Sequence, residues 1–431
     1  MDKNKDRIAP IAYLAIVALG LLNSVVYSIP YIKDVFYEGM IELTGATNAQ
    51  LGLLMTIYGL GEVISLPIGG VLAEKADSKK VLAISTILTA VGCFVLAIAP
   101  SYAMTAIVWL GLIFTSLFMF WGSLFKALRL LGSSRVQGKI VGYYQGAAGA
   151  GYFIINMILL KVYDMNDAAG AAAGMKAVFL VLGILCVAIA LFGYVAIKIA
   201  GNAIDFSIID DTKAGGEENE LLIETVKACA KNKTVWFFGI VVFSVYAVKI
   251  TIGYFTPYFQ DVLGVAAVST GVIAVIRVYG TQMLGAPLGG IWADKMNSTA
   301  KTVGILGLTS LICLVTTLVL PEHLVTVGVV TAISTIAAFA ITTAYGIQFA
   351  IIPEGYVPAK YMATAIGLST AIGYIPDVFQ HAVYGMWLDK YGNTGYTYMF
   401  IYGSFFALVA VVTTMLFLKY KKSLKEKMDA A

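Results

Sequence analysis

The chain has 431 residues, of which 59% are hydrophobic and 13% charged, with a net charge of +4 and a mean hydropathy of +0.85. A water-soluble domain carries about 25% charged residues, so this composition excludes a soluble globular protein and implies an integral membrane protein. The mild positive balance gives no reason to expect a nucleic-acid partner, and the four scattered cysteines (Cys93, Cys186, Cys229 and Cys313) suggest neither a disulfide framework nor a metal site.

A membrane-spanning helix needs about 20 apolar residues. In chain order such runs fall at 9–33, 49–73, 80–99, 103–127, 138–163 and 174–198, and then at 234–259, 268–292, 300–320, 325–351, 361–388 and 395–419. The reading is twelve transmembrane helices in two six-helix bundles, 1–198 and 234–431, joined by a polar linker at 199–233. Transmembrane strands are excluded, because they are about 10 residues long and alternate in polarity. The linker is rich in carboxylates. Leu221, Leu222, Thr225, Val226 and Cys229 recur in it at helical spacing, which predicts a short surface helix over 217–231.

Lysine and arginine placement sets the orientation. Lys3, Lys5 and Arg7, then Lys75, Lys79 and Lys80, Arg135 and Lys139, Lys295 and Lys301, and the tail lysines from Lys419 to Lys427 all fall on one side, together with the linker. Both termini are therefore expected in the cytoplasm, and the sequons at Asn232 and Asn297 are expected to be unmodified.

Residues 67–75 read Pro-Ile-Gly-Gly-Val-Leu-Ala-Glu-Lys and residues 287–295 read Pro-Leu-Gly-Gly-Ile-Trp-Ala-Asp-Lys. Trp121-Gly122 is echoed by Tyr345-Gly346, and Gly151-Tyr152 by Gly373-Tyr374. A unit repeated in parallel within a membrane is a transporter architecture. Glycines at every fourth position (Gly138, Gly142 and Gly146; Gly285 and Gly289) let helices approach closely.

Twelve helices in two sixes, with Gly-Gly-x-x-Ala-Asp/Glu-Lys after the second and eighth, resemble the major facilitator superfamily over the whole chain. The resemblance implies the major facilitator fold and alternating access. It also implies a cytoplasmic gate that includes Gly70, Glu74, Lys75, Gly290, Asp294 and Lys295. A narrower resemblance is to the organophosphate:phosphate antiporters and their organic-anion neighbours. Trp121, Lys126 and Gly138 match their fourth-helix spacing, and Lys249, eight residues before Pro257, falls where they carry an arginine that binds substrate. Their other arginine would fall near Leu22 or Asn23, where this chain has no basic residue.

Charges inside hydrocarbon cost about 2.5–3.5 kcal/mol each on insertion scales, so each needs a reason to be there. Lys249 in the seventh run, Arg277 in the eighth and Lys126 in the fourth are candidate substrate contacts, with Tyr254, Tyr279 and Tyr374 as aromatic partners. Each cation has a structural alternative: an ion pair for Lys249 and Arg277, and snorkelling to the interface for Lys126. Glu62 in the second run and Asp377 with His381 in the eleventh are candidate proton carriers. The last two are four residues apart, on one helix face, and here too a structural ion pair is the alternative. Pro376 predicts a local break around Gly373–Asp377.

These residues imply a secondary transporter of a small organic anion in a bacterial inner membrane, using protons or a counter-anion and working as a monomer in the lipid bilayer. Organophosphate:phosphate exchange and a transporter-like receptor that senses an anion are the alternatives. No metal or cofactor is called for. The absence of His-Glu-x-x-His, Gly-x-Ser-x-Gly and a phosphate-binding glycine loop argues against an enzyme.

Overall fold

The computed structural model describes residues 8–75, 77–132, 136–203, 222–358 and 362–429, without the side chains of 66–75, 137–138, 203, 222–226, 286, 363 and 428–429. The described elements are helical. We label the long ones α1 (Pro10–Ser28), α2 (Asn48–Lys75), α3 (Ser78–Ile98), α4 (Tyr102–Arg129), α5 (Gln137–Asn166) and α6 (Ala171–Ala203). There follow α7 (Lys233–Asp261), α8 (Ala267–Val275 continuing through Ile276–Gly280 and Thr281–Lys295), α9 (Thr299–Val319), α10 (Val327–Glu354), α11 (Met362–Gly373 and Ile375–Tyr391) and α12 (Thr394–Asp429). Among the described residues, ten helices are long and apolar enough to cross a membrane.

Several starts are capped as their residues dictate. The hydroxyl of Ser101 accepts from Met104 N at the start of α4, Ser298 from Lys301 N at α9, and Thr326 from Val329 N at α10. In the linker, the surface helix is described over Leu222–Lys231. The first apolar run stops being helix at Ser28, before Pro30, and leads through a single turn at Ile32–Asp34 into a separate helix, Tyr37–Thr44. α12 continues well past residue 419, carrying its lysines on an ordered helix.

The chain forms two compact units. One holds Met1–Glu217 with Ala267–Val275, and the other Glu218–Ala266 with Ile276–Ala431. Inside the first, α1 packs on α5 and α6, α3 on α6, and α2 on α4. Inside the second, α7 packs on α11 and α12, α9 on α12, and α8 on α10. Adding six to each label of the first set gives the second, so the packing carries the same repeat as the sequence. The paired glycines show why. A Cβ on Gly151 of α5 would collide with Ser24 of α1, and one on Gly373 of α11 with Val242 of α7. Gly285 and Gly289 press α8 against Thr343 of α10. Gly142 and Gly146, by contrast, face open space, so their spacing alone did not mark a contact.

Candidate functional site

The second unit gathers five of the candidate residues or their immediate partners into one cluster. α7 is regular through Gly253, breaks at Tyr254 and resumes as Phe255–Asp261, with Pro257 unable to donate a backbone hydrogen bond. α11 breaks at Tyr374 as Pro376 predicts, which places Asp377 in the first turn of Ile375–Tyr391, where a helix N-terminus favours a carboxylate. The break in α11 lies beside Tyr246 of α7, and the break in α7 beside His381 and Tyr384 of α11. Tyr246 donates to Asp377 Oδ2 at 2.6 Å, and Gln380 Nε2 donates to the Ala247 carbonyl at 2.8 Å. The Thr251 and Tyr384 hydroxyls meet at 2.7 Å.

Asp377 is completely buried and His381 is 4% exposed. His381 Nε2 lies 3.2 Å from Asp377 Oδ1, close enough for an ion pair when the ring is protonated but not aligned as a hydrogen bond. The other ring nitrogen, Nδ1, is 3.3 Å from the Tyr254 hydroxyl. A continuous polar path therefore runs from Tyr246 through Asp377 and His381 to Tyr254.

Lys249 stands beside this path, half-buried, with its ammonium 4.5 Å from the Tyr345 ring centroid and 5.3 Å from that of Tyr246. No carboxylate lies within ion-pair distance of it among the described residues. The Tyr345 and Tyr374 hydroxyls are 3.0 Å apart, and the Tyr374 ring packs 4.7 Å from Tyr246. Electron-rich ring faces stabilise a cation without neutralising it.

Arg277 and Tyr279 lie in the wide π turn Ile276–Gly280 of α8, and both are buried. Arg277 is 0% exposed; one of its terminal nitrogens donates to Thr256 Oγ1 at 2.6 Å, and its guanidinium lies near the Phe255 and Phe259 rings. It thus sits against the short second segment of α7.

In the first unit, Glu62 is 7% exposed and receives a hydrogen bond from Tyr31 at 3.3 Å. Tyr31 packs edge-on to Tyr58, whose hydroxyl meets Ser116 Oγ at 2.7 Å, and Tyr27 donates to the Ser116 carbonyl at 2.9 Å. Ser116 lies in a second π turn, Ile113–Trp121, which ends on the tryptophan of the fourth-helix spacing. Trp121 packs on Tyr27. Lys126 is half-buried and Arg129 exposed, both in the last segment of α4. Asn23 donates to the Tyr152 hydroxyl at 3.3 Å.

The side chains of Gly70, Glu74 and Lys75 lie outside the described residues. Gly290 faces open space, and Asp294 and Lys295 are exposed in the last turn of α8. The loop after them is held by a residue that sequence reasoning missed. Glu354, at the end of α10, accepts from Ser298 Oγ at 2.9 Å, from Thr299 N, and from Ala300 N at 3.3 Å. Lys421 of α12 completes the tie at 2.9 Å. Tyr345 was visible only as an echo of Trp121, and Tyr246 only as a neighbour of Lys249.

The chain is 26% identical over 415 residues to the inner membrane protein YihN of Escherichia coli (strain K12), covering 96% of this chain and 97% of that one. It is 23% identical over 414 residues to YqcE, an inner membrane protein of the same organism, covering 95% of each. Among solved structures it resembles a bacterial homologue of the human lysosomal transporter Spinster in an inward-facing, unoccupied conformation, with a TM-score of 0.74 at 14% identity over 95% of this chain and 98% of that one. It also resembles the nucleoside transporter NupG, with a TM-score of 0.63 at 15% identity over 95% and 98%. The model of the Major Facilitator Superfamily matches residues 11–381. With that match over most of its length, and with a packing scheme repeated six helices on, the chain belongs to the major facilitator superfamily and is a membrane transporter.

Proposed function

We propose that the chain carries a small organic anion across the bacterial cytoplasmic membrane by alternating access, coupled to protons. The observation that carries this reading is Lys249: a half-buried ammonium in an apolar helix, faced by two tyrosine rings and without a carboxylate partner among the described residues. A lysine costs about 2.5–3.5 kcal/mol at such a depth, and an incoming anion offsets that cost. Tyr374 and Tyr345 offer hydroxyls beside it, and the Asp377–His381 pair is the proton carrier. Tyr254 holds the imidazole from the other side. Arg277, sealed against Phe255 and Phe259, supports the site by fixing the segment of α7 that follows Tyr254, with Tyr279 beside it in the same turn.

Glu62, within its tyrosine cluster, is a second acid suited to a proton, and Lys126 is a secondary cation. Asp294 and Lys295 belong to the gate with Gly70, Glu74, Lys75 and Gly290. The inner-membrane names of the two E. coli relatives support the placement in the cytoplasmic membrane. The lack of a basic residue near Leu22 or Asn23 counts against strict organophosphate exchange.

The test is uptake by purified protein in liposomes from a panel of organic acids. A Lys249→Ala variant is expected to lose about tenfold or more of its uptake. Full uptake of every transported anion by that variant would sink the role of Lys249, and binding without flux would favour a receptor.

A further inference from the structure

Lys249 and Asp377 differ in what can reach them. Lys249, Tyr345 and Tyr374 are half-buried, whereas Tyr246, Asp377, Gln380, His381 and Tyr254 are buried. The ammonium side chain is partly exposed, whereas the carboxylate is fully buried. The phenol of Tyr246 joins the two. Its ring lies 5.3 Å from Lys249 Nζ while its hydroxyl donates to Asp377 at 2.6 Å.

The titratable and charged groups that face this pair can be taken helix by helix. They include Tyr246 and Lys249 on α7 with Tyr254 at its break, Tyr345 on α10, Tyr374, Asp377, His381 and Tyr384 on α11, and Tyr402 of α12 against Tyr384. With a neutral imidazole, an ammonium at Lys249 and a carboxylate at Asp377 offset one another. An electrically balanced set tolerates a low-dielectric surrounding, and an unbalanced one does so only at a high cost. One bound monoanion unbalances the set by one negative charge, and one proton on the Asp377–His381 pair restores the balance. A dianion leaves an excess negative charge even after that proton.

We infer that the site selects monovalent anions over divalent ones, that each anion is taken up with one proton on the Asp377–His381 pair, and that Tyr246 is the positioning residue linking the two events. This rests on the reading of Lys249 as the anion contact. The step is a proton transfer only: a proton from water forms an O–H or N–H bond within the pair, and no other bond changes.

The test is calorimetric titration of the full-length protein with matched anions that differ by one carboxylate: gluconate and glucarate, propionate and succinate, benzoate and phthalate. Repeating each titration in two buffers of different ionisation enthalpy counts the protons taken up. At least one monoanion is expected to bind about tenfold or more tightly than its divalent counterpart, with uptake of about one proton. Asp377→Asn should bind that monoanion at least as tightly and take up no proton. Tyr246→Phe keeps the ring beneath Lys249, so its affinity should hold within about threefold while its proton count falls.

Dianions that bind as tightly as monoanions, with binding lost in Lys249→Met, would overturn the monoanion inference and leave the anion reading intact. Binding indifferent to Lys249, or no binding by any of the six, would overturn both. A wild-type proton count in Tyr246→Phe would remove Tyr246 from the coupling, and should that variant fail to fold, the Asp377→Asn count decides alone.

Discussion

Gly373 of α11 meets Val242 of α7 with no room for a Cβ, and Gly151 of α5 meets Ser24 of α1 in the same way. The two repeats thus use a glycine at corresponding helix pairs to bring their first and fifth helices into contact. In the second unit that contact sets the distance across which Tyr246 reaches Asp377.

Alanine at either close position should therefore destabilise the protein. Overpacking costs about 1–3 kcal/mol, more than the roughly 0.5–1 kcal/mol that alanine gains over glycine in a helix. Gly151→Ala and Gly373→Ala are expected to lower the thermal midpoint in detergent, whereas Gly142→Ala, which faces open space, should leave it level or raise it. Equal midpoints for all three would contradict the packing account.

Glu354 places a carboxylate on the backbone N–H groups that open α9 and on Lys421. Glu354→Gln is expected to cost about 1–2 kcal/mol, because the hydrogen bonds are charge-assisted and the helix N-terminus favours an anion. Lys421→Met should cost less, because Lys421 is one-quarter exposed. A double-mutant cycle read by thermal unfolding checks the pair; strict additivity would show that the two residues do not act together.

Glu62 and Asp377 are separable candidates for proton coupling. If the Asp377–His381 pair carries the proton, Glu62→Gln retains pH-driven uptake to within about threefold while Asp377→Asn loses it. Uptake by each variant in liposomes under an imposed pH gradient makes the comparison. The reverse pattern would move the coupling role to the first unit.

Asp294 is exposed in the last turn of α8, remote in the chain from Lys249. Asp294→Asn and Glu74→Gln should change the turnover rate more than the half-saturating concentration. A selective loss of affinity in uptake kinetics would argue against a gate role.

The twelve helices were legible because length and apolarity alone decide a membrane span. What happens inside a span was legible only where a proline forces it, as at Pro376. The π turns at Ile113–Trp121 and Ile276–Gly280 leave no comparable mark, and the first apolar run reads as one span through Pro30, past the stop at Ser28. Charges stood out because they are scarce in such a sequence, so Lys249, Asp377 and His381 could be singled out as candidates. Their partners could not, since Tyr246 and Asp377 are separated by 131 positions and only folding joins them. Glu354 escaped for the opposite reason: an acidic residue at the end of a span looks like ordinary surface.

The tie from Glu354 to Lys421 also changes what the end of α12 is for. Residues after the last apolar turn look disposable, and they invite shortening or replacement by a purification handle. Here Lys421 braces the loop that follows the repeated Gly-Gly stretch, so that part of the tail acts as a strut. Proteins shortened ahead of Lys421 should be compared with the full chain before their transport rates are interpreted.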